Sequence, residues 1–199
     1  AEYGRWCAAA AQPRSALVHR SGRCALRPAA GLSPIPCYLL LRSPDLLSLP
    51  GQRAAARGDA KRAFYTAPVK ALSNQKYRDL VAVHGEEEVG LLTGDNSING
   101  DAPIVVMTTE VLRNMIYGRS RLLHDLGLVV LDEVHFLQDS YRGPVWEEVM
   151  IHLPQHVRLV CLSATVSNVD ELAEWISTVR GPTVAIVERR RPVRLDNEY

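Results

Sequence analysis

Two adjacent carboxylates close an apolar run in Leu126-Gly-Leu-Val-Val-Leu-Asp132-Glu133-Val134-His135. A carboxylate pair at the carboxyl end of a buried strand lies where open α/β sheets bind ligands. Hydrolysis of a phosphoanhydride needs one carboxylate to hold Mg²⁺, usually through water, and a second to orient or deprotonate the attacking water. Asp132 and Glu133 suit those two roles, although either would also serve as a simple helix cap. A second group, Ser163-Ala164-Thr165, follows the next long apolar run, 31 residues after Asp132. Hydroxyls at a neighbouring strand end can hydrogen-bond to an acidic motif and relay its state, or cap a helix. Upstream, Thr66-Ala67-Pro68-Val69-Lys70-Ala71-Leu72-Ser73-Asn74-Gln75-Lys76 leaves one strand and opens a helix. Helix N-terminal amides, a lysine and amide side chains suit a phosphate backbone. Thr93-Gly94-Asp95 follows another strand, and Thr108-Thr109-Glu110-Val111-Leu112-Arg113-Asn114 opens a further helix. Taken singly, each of these three is a common strand-to-helix turn.

Regular elements must bring these groups together. From Ala54 onward, strand-like runs (63–66, 89–92, 104–107, 127–131, 157–162, 184–187) alternate with helix-like stretches (69–83, 110–117, 145–152, 169–179). Runs such as Leu128-Val-Val-Leu131 and Leu159-Val-Cys-Leu162 are apolar throughout rather than alternating. Strands read that way when helices cover both sheet faces. The pattern predicts an α/β fold, a doubly wound parallel sheet, with every candidate group at a strand end.

In this order the motifs closely resemble the superkiller-like DExH-box RNA helicases of the second helicase superfamily, the actinobacterial members above all. Asp132–His135 matches that family's motif II, Ser163–Thr165 motif III, Ala67–Gln75 motif Ia and Thr108–Asn114 motif Ib. The likeness covers about 140 of the 199 residues. It implies a RecA-like motor domain with ATP and Mg²⁺ as cofactors and RNA as partner. Asp132 would position Mg²⁺ through water and Glu133 would activate the hydrolytic water. His135, Ser163, Ala164 and Thr165 would couple nucleotide state to movement. Pro68, Lys70, Gln75, Thr93, Gly94, Thr109, Glu110 and Arg113 would line the RNA path, mostly along its backbone. Glu110 would accept from a ribose hydroxyl or orient Arg113. Arg191-Pro192-Val193 looks like the start of a linker to a second motor domain.

The family's phosphate loop, G-x-x-x-x-G-K-[ST], has no match in this chain. Its expected place, around residues 33–44, reads Ser-Pro-Ile-Pro-Cys-Tyr-Leu-Leu-Leu-Arg-Ser-Pro, without glycine or lysine. Residues 1–62 carry a charge of +7 and six of the twelve prolines, whereas 63–199 carry −6. We therefore expect an atypical Arg/Ala/Pro-rich segment over 1–55, a partial motor over 56–190 and a linker over 191–199. The first segment suits a transit peptide, a disordered extension or, as the preferred reading, a stretch foreign to the family. On this reading the first strand and phosphate loop are absent, the sheet is incomplete at its N-terminal side, and the fragment is inactive and unstable unless residues 1–62 fill the gap. Four cysteines without metal-ligand spacing fit a reducing, cytoplasmic setting, and no apolar run suits a bilayer. The competing readings are a non-catalytic RNA-binding module and a DNA-unwinding relative.

Overall fold

The structure, a computed structural model, describes residues 37–41 through their backbone pairing, and 62–163 and 168–187 in full. The apolar runs become strands β1 Cys37–Leu41, β2 Arg62–Ala67, β3 Val89–Leu92, β4 Ser97–Ile98, β5 Ile104–Thr108, β6 Leu126–Leu131, β7 Arg158–Ser163 and β8 Thr183–Val187. Helices α1 Lys70–His84, α2 Thr109–Tyr117, α3 Gly143–His152 and α4 Val169–Arg180 separate them, with 3-10 turns at Arg121–Leu123 and Val134–Gln138. The described strands form one sheet in the order β4-β3-β5-β2-β6-β7-β1-β8. All pairings are parallel except β3 with the short β4.

Side-chain alternation divides the core into two layers. Phe64, Val105, Met107, Val129, Leu131, Leu159 and Cys161 face one way, against residues of α2, α3 and α4 such as Leu112, Trp146, Met150 and Ile176. Tyr65, Val106, Val130 and Val160 face the other way, where Leu72, Tyr77, Leu80 and Val81 of α1 pack. Because each central strand is covered on both sides, almost none of its positions can be polar. This is the doubly wound RecA-like sheet that the sequence predicts.

One expectation needs correction. The first strand was expected to be absent, leaving a gap in the sheet. Instead β1 lies between β7 and β8, parallel to both, with Leu39 opposite Cys161 on one side and Ala185 on the other. The boundary set at residue 55 thus cuts across the sheet. The physical reason is that a central slot demands only extended backbone, hydrogen-bonding groups on both edges and an apolar run. Cys37-Tyr-Leu-Leu-Leu41 meets those demands whatever follows it in the chain.

Two close approaches fix the surrounding turns. A Cβ on Gly90 would lie 2.1 Å from the Asn99 carbonyl oxygen, so the β3–β4 hairpin closes only over glycine. At the end of α4, buried Arg180 donates to the carbonyls of Leu153 (2.5 Å), Pro154 (3.1 Å) and Val157 (2.8 Å), which holds the turn that launches β7. Substituting Met keeps most of the volume but orphans those acceptors. Arg180→Met should therefore cost about 3 kcal/mol, read as a lower urea midpoint at unchanged slope. An unaltered midpoint would show that the turn does not depend on Arg180.

Candidate functional site

Parallel pairing puts the carboxyl ends of β2, β3, β5, β6 and β7 on one edge of the sheet. Thr66 lies opposite Leu131, Ala67 opposite Thr108, and Leu131 opposite Cys161. The acidic motif begins where β6 ends. The Asp132 amide still donates to the Thr66 carbonyl at 2.9 Å, which holds the residue in line with β2. Its carboxylate is fixed at both oxygens: Tyr65 Oη donates to Oδ2 at 2.5 Å and the Glu133 amide to Oδ1 at 2.9 Å. The Tyr65 phenol is pushed far above its usual range, first by burial and then by the Asp132 carboxylate, so it remains a donor at every working pH. Trp146 Nε1, from the buried face of α3, reaches the Asp132 carbonyl at 3.4 Å.

Glu133 adopts a left-handed conformation, φ 53° and ψ 46°. A non-glycine residue there carries about 1–2 kcal/mol of strain, and such strain concentrates at functional turns. The bend starts the Val134–Gln138 3-10 turn and leaves the Glu133 side chain partly exposed. Its carboxyl pKa is raised by partial burial and by the Asp132 charge, against the opposing influence of His135 and Lys76. His135 Nδ1 lies 3.1 Å from Glu133 Oε2, an ion-pair distance without the alignment of a hydrogen bond. Ser163 ends β7 with its hydroxyl buried and unpartnered. Ala164, Thr165 and the Arg191–Val193 stretch lie outside the described residues.

On the same edge an open cleft of about 620 Å³ takes in Pro68, Lys70, Gly94 and Glu110, four of the expected backbone-binding residues. It also takes in Asn114 and Arg142, which the sequence reading left out. Asn114 was discoverable, since it lies four residues after Glu110 on α2 and so shares its face. Arg142 was not, because only the fold of the turn before α3 brings it back. Lys70 pairs with Asp95 across the mouth of the β3 turn, both side chains largely exposed. Thr93 shapes that turn, its Oγ1 accepting from the Asn96 amide at 3.2 Å and its own amide donating to the Asn96 carbonyl at 2.8 Å.

The remaining expected residues do other things here. Gln75 is exposed on α1, but five residues beyond Lys70 it points about 140° away around the helix. Thr109 is fully buried, and its hydroxyl donates to the Ala67 carbonyl at 3.4 Å, tying α2 to the end of β2. Arg113 has Glu148 of α3 within ion-pair range at 3.9 Å, so the carboxylate that orients it is Glu148 rather than Glu110.

The cofactors the fold implies can be tested against these residues. Asp132 offers a hard oxygen ligand at a strand end, with the unpartnered Ser163 hydroxyl on the adjacent strand, and that donor set fits Mg²⁺ held largely through water. Among the described residues no cluster of three or more His, Cys, Asp or Glu could hold a metal unaided. The triphosphate fits less well. Leu41 of β1 is registered with Ser163, so the chain leaves β1 at the same edge. It leaves as Arg42-Ser43-Pro44-Asp45, and the first lysine of the whole chain is Lys61. No glycine-rich, lysine-bearing loop follows β1.

The profile of the DEAD/DEAH box helicase family matches residues 43–172, and the chain belongs to that family. It is 62% identical over 134 residues to the probable helicase HelY of Mycobacterium leprae, covering 67% of this chain and 15% of that protein. It is 53% identical to the chloroplastic DExH-box ATP-dependent RNA helicase DExH15 of Arabidopsis thaliana (68% of this chain, 12% of that one). Identity to the antiviral helicase SKI2 of Saccharomyces cerevisiae is 46%, over 72% and 11% of the two chains. The chain thus spans about one-seventh or less of these relatives. Among solved structures, the helicase Lhr of Mycobacterium smegmatis, bound to single-stranded DNA and AMP-PNP, superposes with a TM-score of 0.52 and 25% identity over 64% of this chain and 20% of that one. Among the described residues no helix is long and apolar enough to cross a membrane.

The raised Glu133 pKa has a consequence for stability. Folding binds a proton more tightly at this carboxyl than the unfolded chain does, so the folded state loses stability as pH rises through the folded pKa. Glu133→Gln should therefore raise the thermal midpoint at neutral pH, and the gain should shrink in acid and vanish below about pH 3, where the carboxyl is protonated in both states. Melting curves across that range check the sign; a gain that grows in acid would contradict it.

Proposed function

We propose that this chain is part of the first motor domain of an ATP-dependent RNA helicase of the superkiller-like type. Its motor portion runs over 56–190 together with β1, and 191–199 lead towards a second motor domain. Support comes above all from the parallel register that sets the ends of β2, β5, β6 and β7 on one edge, which gathers the acidic turn and the cleft side by side. In this reading Asp132, locked by Tyr65, would hold Mg²⁺, and Glu133 would accept a proton from the attacking water. Bound Mg²⁺ would supply charge neutralisation of the phosphates. The partly exposed Glu133 carboxyl with a raised pKa is a better proton acceptor than an ordinary surface carboxylate. His135, Ser163, Ala164 and Thr165 transmit the state of the site. Pro68, Lys70, Gly94 and Glu110 meet the RNA backbone in the cleft, and Thr93, Thr109 and Arg113 support the same path from the turn and helix start around it. The setting is reducing and cytoplasmic.

The preference for RNA is supported by relatives whose names describe RNA helicases. The sequence after β1 favours a further restriction: this chain by itself binds nucleic acid without hydrolysing ATP, because no glycine-rich, lysine-bearing phosphate loop follows Leu41. Two titrations test the reading. A fluorescent, non-hydrolysable ATP analogue with Mg²⁺ should show no saturable binding to the chain or to Glu133→Gln. Single-stranded RNA should bind more tightly than DNA of the same sequence. Lys70→Gln should weaken RNA binding and reduce the slope of log K against log salt by about 1. Saturable nucleotide binding would restore the enzymatic reading for the chain as it stands, and DNA preferred over RNA would replace the RNA assignment.

A further inference from the structure

Arg142 lies in the cleft, yet no part of the functional reading above employs it. Its guanidinium sits over the ring of Phe136, 5.7 Å from the centroid. Phe136 stacks on His135 at 4.9 Å and 28°, and on Trp146 at 5.5 Å and 16°. His135 Nδ1 is 3.1 Å from the Glu133 carboxylate, and Trp146 Nε1 reaches the Asp132 carbonyl. One unbroken series of contacts therefore runs from the cleft to both residues of the acidic pair.

The backbone around Arg142 is held by hydrogen bonds, whereas its side chain rests only over the Phe136 ring. The Arg142 and Tyr141 amides both donate to Asp139 Oδ1 at 2.8 Å, which lowers the Asp139 pKa. A Cβ on the next residue, Gly143, would stand 2.5 Å from the Leu137 carbonyl oxygen, so the turn is packed shut on itself. Arg142 is half-buried, and among the described residues its guanidinium makes no side-chain hydrogen bond beside its contact with Phe136. Two carboxylates compete with an incoming anion for it: exposed Asp139, already committed to backbone donors, and Glu110, which lines the same cleft. A planar guanidinium can stack on an aromatic face and still present two donors to a phosphate, which an ammonium cannot do.

We propose that Arg142 contacts a backbone phosphate of the nucleic-acid strand in this cleft and acts, through the Phe136 ring, as a positioning residue for His135 beside Glu133. The inference rests on the reading of the cleft as a nucleic-acid path. Engagement of a phosphate draws the guanidinium across the Phe136 face, and the stacked His135 ring follows.

The test uses the full chain with ¹⁵N-labelled histidine and a fluorescein-labelled oligouridylate. Arg142→Gln should weaken binding several-fold and reduce the salt slope by about 1. In the unsubstituted chain, saturating RNA should shift the His135 imidazole resonances. Arg142→Lys should keep the salt slope but lose that shift, a separation that a merely structural role would not produce. Binding by Arg142→Gln equal to the unsubstituted chain, or a His135 ring unmoved by RNA in the unsubstituted chain, overturns the proposal and leaves the cleft reading intact. No binding by the unsubstituted chain overturns the cleft reading, and the proposal with it. Should Arg142→Gln fail to fold, Arg142→Lys decides: a full His135 response there overturns the proposal.

Discussion

The pairing of β2 with β6 joins the two chemistries of this sheet edge. Thr66 is registered with Leu131, and the Asp132 amide extends that ladder by one more bond to the Thr66 carbonyl. Tyr65, on β2 itself, is therefore beside the acidic turn and locks its first carboxylate, while Pro68, just past the end of β2, lines the cleft. A one-residue slip would turn Tyr65 to the opposite face and would separate the cleft from the carboxylates. Such a slip is resisted by the two buried layers, since every residue of β2 after Arg62 is committed to one of them or to a ladder contact.

The sheet was legible in the sequence because its strands are covered on both faces. Continuous runs such as Leu128–Leu131 are rare outside that setting, and short breaks carrying Pro, Gly or Asp mark where they end. The acidic turn was legible for a related reason, as it follows such a run without a gap. Residues whose place depends on tertiary return were harder to find. Arg142 enters the cleft only because Gly143 lets its turn close against Leu137, and neither residue belongs to a periodic pattern. Thr109 and Gln75 erred the other way: their types suit a phosphate path, but burial takes one and helical rotation takes the other.

The N-terminal strand shows how far sheet formation can be separated from chemistry. Between β7 and β8 the sheet presents two rows of unpaired backbone groups, and any extended apolar run that fills the slot satisfies them. A phosphate loop demands much more: glycines that expose consecutive amides, and a lysine at a fixed spacing. Cys37–Leu41 meets the first demand, and the residues after it do not meet the second. Completeness of the sheet is thus no argument for completeness of the site.

Charge completes the picture of the edge. Residues 63–199 carry a charge of −6, so the body of the domain repels a polyanion and attraction must be local. In the cleft Lys70 already has Asp95 as partner and Glu110 contributes a second carboxylate. An exposed ion pair of this kind holds its lysine weakly, and a phosphate can displace the carboxylate at little cost. Net affinity then depends on few cations acting together, and each one removed is felt. That sparseness favours loose, sequence-indifferent contact with a backbone, which a motor must release at every step, over tight anchorage. It also gives weight to an arginine resting over the Phe136 ring, which keeps a cation beside the cleft without tying up its donors.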